Sequence, residues 1–238
     1  MLLGNLPNSH GKLLPGSLQL IDRNGKLTQT ITDKLDGPWD LTIADHTDSA
    51  TVFVSNVLNG TVTRLNLTNL MASPNAVQVK AVVIASGYTV QPNAAALILG
   101  PTGLAYDAVA DTLYVASTAD NEIFAVSQAG TRTSPAGRGM VIFEDEHLRG
   151  PLALAFAPNG DLVTSNGDAV NADPTQPSEI VEFTKSGKFI GQFNVDATQG
   201  GAFGLAIALV GGDTARLATV DDNTNSIIAI DQGVVPGG

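Results

Sequence analysis

Short hydrophobic runs, each led by glycine, recur along the chain at intervals of about fifty residues. Each is followed by a second short apolar run that stops at a small polar residue. The glycine-led runs are Gly37–Ile43, Gly100–Tyr106, Gly150–Phe156 and Gly201–Ile207. Runs this short, bounded by Gly, Asn and Asp, are typical of β-strands, and no segment shows sustained helical periodicity. The pattern therefore predicts an all-β chain built from one repeated unit.

Alignment of the repeats predicts four strands in each unit. The second strands are Met1–Asn5, Val52–Asn56, Leu113–Ser117, Leu162–Asn166 and Leu217–Asp221. Third strands carry apolar pairs three residues apart, from Leu18 and Ile21 to Ile227 and Ile230. The fourth strands are Leu27–Ile31, Val77–Ile84, Met140–Phe143 and Phe189–Phe193, with tight turns at Asn24-Gly25 and Ser186-Gly187 before the first and last of them. Tandem units of four short strands are typical of propeller blades, so the predicted fold class is an all-β propeller with four-stranded blades.

The strand count indicates a single domain with five blades wholly or partly present. We predict a partial blade over residues 1–36, complete blades over 37–99, 100–149 and 150–200, and a partial blade over 201–238. A propeller must close its ring, because each blade leaves apolar faces toward its neighbours. We therefore expect a truncated six-bladed ring. Two alternatives stay open: two chains that complete each other as a homodimer, and a smaller ring that closes irregularly.

Composition narrows the classes of partner. Twelve Lys and Arg residues against twenty-three Asp and Glu residues leave a net charge of −11, on a chain that is 43% hydrophobic and 15% charged. A globular surface this acidic repels phosphate backbones and anionic lipid, so we expect no nucleic acid and no membrane insertion. A small molecule or a protein ligand fits better. The chain has no cysteine, which excludes thiol nucleophiles, disulfides and thiolate metal sites.

Each predicted second strand ends in a small polar residue at the same place in its blade. These residues are Asn5, Asn56, Ser117, Asn166 and Asp221. Strand ends of this kind meet at one mouth of a propeller channel, where a ring of oxygens suits Ca²⁺ or Mg²⁺. We predict metal ligands at Asn56, Asn166 and Asp221, together with Asp168 from the following loop, and ligand contacts at Asn5 and Ser117. The alternative is that these side chains satisfy the backbone of turns.

Three further residues are candidates because of their surroundings. His147 lies in the acidic segment Glu144–Arg149, just before an inner strand, and nearby carboxylates would favour its charged form. It is therefore the candidate general acid or base. His10 lies in a loop on the same face, and Trp39, the only tryptophan, lies at the entrance to an inner strand. Both are predicted to bind ligand, Trp39 by stacking. The alternatives are an exposed histidine and a tryptophan that packs between blades.

The blade pattern resembles that of the NHL-type β-propellers over nearly the whole chain. It reads Gly-Pro-x-Gly-Leu-Ala, then Leu-Tyr-Val-Ala-Ser, then Ile-x-x-Val. The blocks Gly37–Asp40, Ser55–Val62 and Asn166–Gln176 are similar to a bacterial, usually exported, NHL-repeat group, which implies a periplasmic or secreted location. The blade design is also similar to that of gluconolactonase-like and streptogramin-lyase-like enzymes. That resemblance implies a metal at the mouth of the channel.

Two functions are compatible with these observations. The first is a ligand-binding or scaffold propeller that uses the mouth of the channel, because the sequence assembles no complete catalytic motif. The alternative is a metal-assisted hydrolase or lyase acting on a small lactone, ester or cyclic substrate, with His147 moving protons. The alternative requires oxygens from three blades near one point, with His147 within reach.

Overall fold

The structure is a computed structural model of the chain and describes residues 1–72, 77–94, 96–167, 175 and 178–233. Its strands are β1 (Leu2–Asn5), β2 (Asn8–Ser9), β3 (Lys12–Leu13), β4 (Ser17–Ile21), β5 (Leu27–Ile31), β6 (Pro38–Asp45), β7 (Ser49–Asn56), β8 (Thr61–Thr68), β9 (Gln78–Ser86), β10 (Gln91–Asn93), β11 (Leu97–Leu99), β12 (Pro101–Asp107), β13 (Thr112–Ser117), β14 (Glu122–Ser127), β15 (Met140–Phe143), β16 (Pro151–Phe156), β17 (Leu162–Asn166), β18 (Ser178–Phe183), β19 (Phe189–Asp196), β20 (Ala202–Gly211), β21 (Thr214–Asp221) and β22 (Ser226–Gly233). These described residues contain no helix, and so none that could cross a membrane.

The strands form antiparallel sheets that follow one another along the chain. We number them from first to fifth: β1-β4-β5, β6-β7-β8-β9, β12-β13-β14-β15, β16-β17-β18-β19 and β20-β21-β22. In each sheet the order of strands in space is their order in sequence. Two small hairpins, β2-β3 and β10-β11, lie in the connections. The predicted all-β class and its repeated four-stranded unit are therefore confirmed.

The hydrophobic core lies between the faces of successive sheets. Phe53 and Ile84 of the second sheet pack with Phe124 of the third sheet. Phe143 of the third sheet stacks on Phe183 of the fourth, with ring centroids 4.3 Å apart. All five side chains are buried. Because burial of each such side chain contributes about 1.5–3 kcal/mol, these interfaces hold the sheets face to face.

The interface between the fourth and fifth sheets is filled less completely. Val163 and Ile180 are buried there, but Phe193 and Leu217 are only partly buried. A cavity of about 200 Å³ lies at this interface, with Val163, Phe193 and Leu217 in its lining. The fifth sheet is therefore held by fewer buried contacts than the sheets before it.

Both tight turns predicted from the sequence are present. Gly25 and Gly187 have positive φ angles of 79° and 86°, which glycine adopts without strain. The N–H of Gly25 donates to the carbonyl of Asp22 at 3.1 Å, and that of Gly187 donates to the carbonyl of Thr184 at 2.9 Å. The first turn joins β4 to β5 in the first sheet, and the second joins β18 to β19 in the fourth sheet.

The first strands of the second to fifth sheets, β6, β12, β16 and β20, contact one another in chain order, and we call them the inner strands. Each has an extra residue where it pairs with the next strand of its sheet. The interruptions lie between Pro38 and Leu41, Pro101 and Leu104, Pro151 and Leu154, and Ala202 and Leu205. Two residues of the inner strand there oppose one residue of its partner, which is a β-bulge. A bulge bends the strand and redirects its side chains, and here it recurs at one place in all four inner strands.

Candidate functional site

A cavity of about 310 Å³ lies where the four inner strands meet. Its walls are formed by the bulges and the residues that follow them. The lining residues are Trp39, Asp40, Leu41, Leu104, Leu152, Ala153, Leu154, Phe203, Gly204 and Leu205. This volume is at the small end of the range for small-molecule pockets, about 300–1,000 Å³. The fold therefore brings residues of four sheets together around a space that suits a small ligand.

Asp40 is the ionisable residue in the described lining of this cavity. Its carboxylate Oδ2 accepts a hydrogen bond from the backbone N–H of Leu104 at 2.9 Å. Burial raises the pKa of Asp40 to about 6, although the N–H groups of Leu104 and Leu41 act in the opposite direction. A carboxylate with this pKa is ionised at neutral pH and is also a better proton acceptor than an ordinary aspartate.

The residues that correspond to Asp40 in the other bulges are small. They are Gly103, Ala153 and Gly204, as the matching register shifts show. A Cβ atom on Gly103 would lie only 2.5 Å from the backbone carbonyl carbon of Ala153, so β12 and β16 approach closely enough to require glycine. Small residues at three of the four positions leave room for the single carboxylate at the fourth.

The hydroxyl of Ser55 satisfies the backbone behind the bulge that carries Asp40. Ser55 Oγ accepts a hydrogen bond from the N–H of Asp40 at 3.1 Å and donates to the carbonyl of Thr102 at 2.7 Å. Ser55 is fully buried. Because Thr102 belongs to the third sheet, one hydroxyl both supports the bulge and joins two sheets beside the cavity.

Similar links join the later sheets. Ser165 Oγ accepts a hydrogen bond from the N–H of Ala153 at 3.2 Å and donates to the carbonyl of Phe203 in the fifth sheet. Between the third and fourth sheets, the hydroxyl of Thr118 donates to the carbonyl of Pro151 at 2.7 Å. The inner strands are therefore held together by hydroxyl groups that lie behind the cavity wall.

We expect Ser55→Ala to lower the free energy of unfolding by about 1–3 kcal/mol. The substitution leaves the N–H of Asp40 and the carbonyl of Thr102 buried without this partner. Urea denaturation at neutral pH measures the change. The control is Ser127→Ala on the exposed end of β14, which should change the free energy by less than about 0.5 kcal/mol. Equal effects of the two substitutions would contradict the role of Ser55.

Trp39 and Phe203 approach each other at the cavity. Their ring centroids are 6.5 Å apart and their planes are inclined by 48°. Trp39 belongs to the bulge of β6 and Phe203 to that of β20. Neither ring is fully buried, and Phe203 is 41% exposed. The position of Trp39 is compatible with its predicted role as a stacking surface, and Phe203 supplies a second aromatic surface.

Two of the predicted metal ligands are engaged inside the protein. Asn56 is fully buried, its Oδ1 accepts the N–H of Asp36 at 3.0 Å, and its Nδ2 donates to the hydroxyl of Thr63 at 3.0 Å. Asn166 is fully buried as well, and its Oδ1 accepts the N–H of Arg149 at 2.9 Å. Both amides thus hold the loop that precedes their own sheet.

The other strand ends are engaged in their own turns. Asp221 accepts the N–H of Asn223 at 3.1 Å with Oδ1 and the hydroxyl of Thr224 at 2.7 Å with Oδ2. Ser117 donates to Asp120 Oδ2 at 2.6 Å. These contacts satisfy groups of the turns themselves, which is the alternative role predicted for strand-end residues.

The remaining predicted ligand contacts lie elsewhere in the first sheet and in a loop. Asn5 ends β1 opposite Ser17 of β4. His10 is exposed in the two-residue turn of the β2-β3 hairpin, with a φ of 54° before Gly11 at 80°. Asp168 lies outside the described residues. Ligand binding by Asn5 and His10 and metal binding by Asp168 stay predictions.

His147 lies near the outer edge of the fourth sheet. Its ring stacks on Phe189 of β19, with centroids 3.9 Å apart. Its backbone N–H donates to the carboxylate of Asp145 at 3.0 Å, and its Nδ1 contacts the same carboxylate. The hydrogen bond from this backbone N–H lowers the pKa of Asp145 below its usual range, and the contact with the ring adds a smaller lowering. His147 is not among the residues that line the cavity, and its predicted role in proton transfer stays a prediction.

The described residues do not form the predicted Ca²⁺ or Mg²⁺ site, and Asp168 lies outside them. Within the described ranges, no group of three or more His, Asp or Glu side chains is placed to hold a metal ion. The side-chain oxygens of Asn56, Asn166 and Asp221 already accept hydrogen bonds from backbone N–H groups. The cavity's described lining offers one carboxylate, whereas Ca²⁺ takes about six to eight oxygen ligands.

We expect thermal unfolding to have the same midpoint in excess EDTA and in excess Ca²⁺ or Mg²⁺. A cation that binds only the folded state would raise the midpoint by mass action. Differential scanning calorimetry of the same preparation under the three conditions makes the comparison. A midpoint that rises with Ca²⁺ and falls with EDTA would support the metal site predicted from the sequence.

Asp40 is the residue that reasoning from strand ends missed. A signal for it was present, because the third residue after the leading glycine is Asp40, Gly103, Ala153 and Gly204 in the four aligned runs. One carboxylate at a position that is otherwise glycine or alanine is unusual in an inner strand. What the sequence did not show is that this position faces a cavity and that burial changes its pKa.

The sequence matches no protein-family model and no curated protein. The fold does match solved structures. Regucalcin of Agrobacterium tumefaciens, a calcium-binding protein, is 16% identical and superposes over 99% of this chain and 77% of its own, with a TM-score of 0.53. A gluconolactonase of Xanthomonas campestris is 16% identical over 88% of this chain and 65% of its own, with a TM-score of 0.53. A streptogramin B lyase is 9% identical over 98% of this chain and 73% of its own, with a TM-score of 0.52. At these identities the likeness establishes the fold alone: the chain is a β-propeller, built like those of the gluconolactonase, regucalcin and streptogramin lyase proteins.

Proposed function

We propose that this propeller is a hydrolase that opens a small lactone or ester in the cavity between its inner strands, with Asp40 as the general base. The observation that carries the proposal is the half-buried Asp40 carboxylate, with a pKa raised to about 6, in a cavity of about 310 Å³. Two solved structures with the same fold are named as a gluconolactonase and a lyase, and by analogy they support a hydrolase or lyase reaction. The proposal replaces His147 with Asp40 as the proton acceptor and routes no step through a metal.

The reaction follows from the position of Asp40. Its carboxylate takes a proton from a water molecule while the water oxygen attacks the carbonyl carbon of the bound lactone. The bond between that carbon and the ring oxygen then breaks, and the protonated Asp40 returns the proton to the leaving alkoxide. The product is a hydroxy acid. Because the N–H of Leu104 holds Oδ2, the carboxylate keeps one orientation throughout.

A binding protein without catalysis is the second candidate function. The aromatic pair Trp39 and Phe203, together with five lining leucines, can hold an apolar ligand whether or not Asp40 acts as a base. Turnover separates the two candidates, since a binding protein leaves its ligand chemically unchanged.

The decisive experiment is incubation of the purified chain with γ-lactones, δ-lactones and simple esters, with acid release followed by a pH indicator. We expect release above the blank rate. In ¹⁸O-labelled water the product carboxylate of a hydrolase contains one label, whereas an elimination product contains none. Ligand binding without release of acid from any of these compounds would support the binding protein instead.

A further inference from the structure

The cavity lining points to a class of substrate: we propose that the site takes a lactone or ester with an alkyl or aryl body and rejects a polyhydroxylated sugar lactone. The inference rests on the proposed function and narrows it. It separates this chain from the sugar lactone that the name of its gluconolactonase neighbour implies for that protein.

The side chains around the cavity offer few hydrogen bonds. The lining has five leucines, Ala153 and Gly204, and the polar side-chain groups are the carboxylate of Asp40 and the indole N–H of Trp39. A sugar lactone would bring several hydroxyl groups out of water into this space. Each hydroxyl left without a partner weakens binding by roughly tenfold or more. The side chains therefore select against hydroxyl-rich substrates.

Several backbone groups beside the cavity already have hydrogen-bond partners. The N–H groups of Asp40, Leu104 and Ala153 already donate to groups of the protein. The carbonyls of Thr102 and Phe203 already accept serine hydroxyls. Bulges are the places where a strand would otherwise present unpaired backbone groups to a ligand. Here serine and aspartate side chains already partner these five groups.

The aromatic pair shows what the cavity can hold instead. Trp39 and Phe203, with centroids 6.5 Å apart, present ring surfaces beside the leucines. Alkyl and aryl groups gain binding energy from such surfaces in proportion to the apolar area that they remove from water. An ester group next to Asp40 and an apolar body against the rings match the side chains of this lining.

Trp39 makes this inference directly measurable, because it is the only tryptophan of the chain and lies in the cavity. Two lactams that resist hydrolysis serve as probes: a δ-valerolactam with a phenyl substituent, and glucono-δ-lactam. We expect the phenyl lactam to change the fluorescence of Trp39 and to bind at least about tenfold more tightly than the sugar lactam.

A variant and its control connect the preference to the cavity. Phe203→Ala should weaken binding of the phenyl lactam by at least about tenfold. Leu209→Ala, on the same strand at a site that is 62% exposed, should leave binding unchanged. Circular dichroism of both variants shows whether the fold is kept.

The outcomes distinguish the substrate class from the hydrolase itself. Equal or tighter binding of the sugar lactam, or no change in Trp39 fluorescence with either probe, would overturn the inference. Faster hydrolysis of glucono-δ-lactone than of the phenyl lactone would also overturn it, but would leave the proposed hydrolase intact. Tight binding of the phenyl lactam without turnover of the phenyl lactone would support the apolar site and remove the hydrolase.

Discussion

Replacement of Asp40 by asparagine is expected to lower kcat for lactone hydrolysis by about 10²–10⁴-fold while ligand binding changes little. Asparagine has nearly the shape of aspartate, and its Oδ1 can still accept the N–H of Leu104, which aspartate binds at 2.9 Å. The amide cannot take a proton from water at neutral pH. Initial rates at saturating lactone measure the loss, and the fluorescence of Trp39 measures binding of the phenyl lactam by the same variant.

The pH dependence provides an independent check on this role. Only the ionised form of a general base is active, so kcat/KM of the unmodified protein should rise with pH and reach half its plateau near the Asp40 pKa of about 6. Asp33→Asn is the matched control, because Asp33 is an exposed carboxylate near the same sheet. His147→Asn tests the residue predicted from the sequence. Full activity in Asp40→Asn, or a larger loss in His147→Asn, would be inconsistent with the proposed mechanism.

The same Asp40→Asn substitution is expected to stabilise the fold at neutral pH by up to about 3 kcal/mol. In the folded chain the pKa of Asp40 is about 6, against 3.8 for an ordinary aspartate. Between these values the folded state binds more protons than the unfolded state, so stability falls as the pH rises through this window and stays lower above it. Water that reaches the half-buried carboxylate reduces the effect. Asparagine carries no charge and avoids this cost.

Urea denaturation at several pH values measures this prediction. Above about pH 7 we expect Asp40→Asn to unfold at a higher urea concentration than the unmodified protein, and below about pH 4 we expect the two to converge. Asp33→Asn, at an exposed position, should unfold at nearly the same urea concentration as the unmodified protein throughout this pH range. Lower stability of Asp40→Asn at neutral pH would mean that the carboxylate stabilises the fold. A gain in stability together with a loss of activity would identify Asp40 as a residue retained for function at a cost to the fold.

Local pattern was sufficient for most of the strands. The strands predicted at Leu27–Ile31, Met140–Phe143 and Leu162–Asn166 have the same bounds in the structure. The prediction of Leu217–Asp221 was too short, because β21 begins at Thr214. The added residues include Arg216, which lacks the apolar signal of a strand and belongs to it through pairing with β20 and β22.

The candidate site depends on contacts that no local pattern contains. Asp40 and Leu104 are 64 residues apart in sequence, and Ser55 and Thr102 are 47 apart. Asn56 looked available as a metal ligand because it ends an apolar run, but its amide holds the backbone of Asp36 from the preceding loop. Strand-end polarity thus indicated where turns are, and did not indicate which polar atoms remain free for a ligand.

By itself, the sequence determined the repeat, the short strands, the turns and the all-β class, because hydrophobic alternation and glycine placement act over a few residues. The tertiary structure alone decided where the chemistry lies. Four bulged strands that are distant in sequence meet at one cavity, and the burial of Asp40 among their side chains raises its pKa to about 6. Desolvation and hydrogen-bond partners depend on which residues become neighbours in space, and that is settled only when the sheets pack against one another.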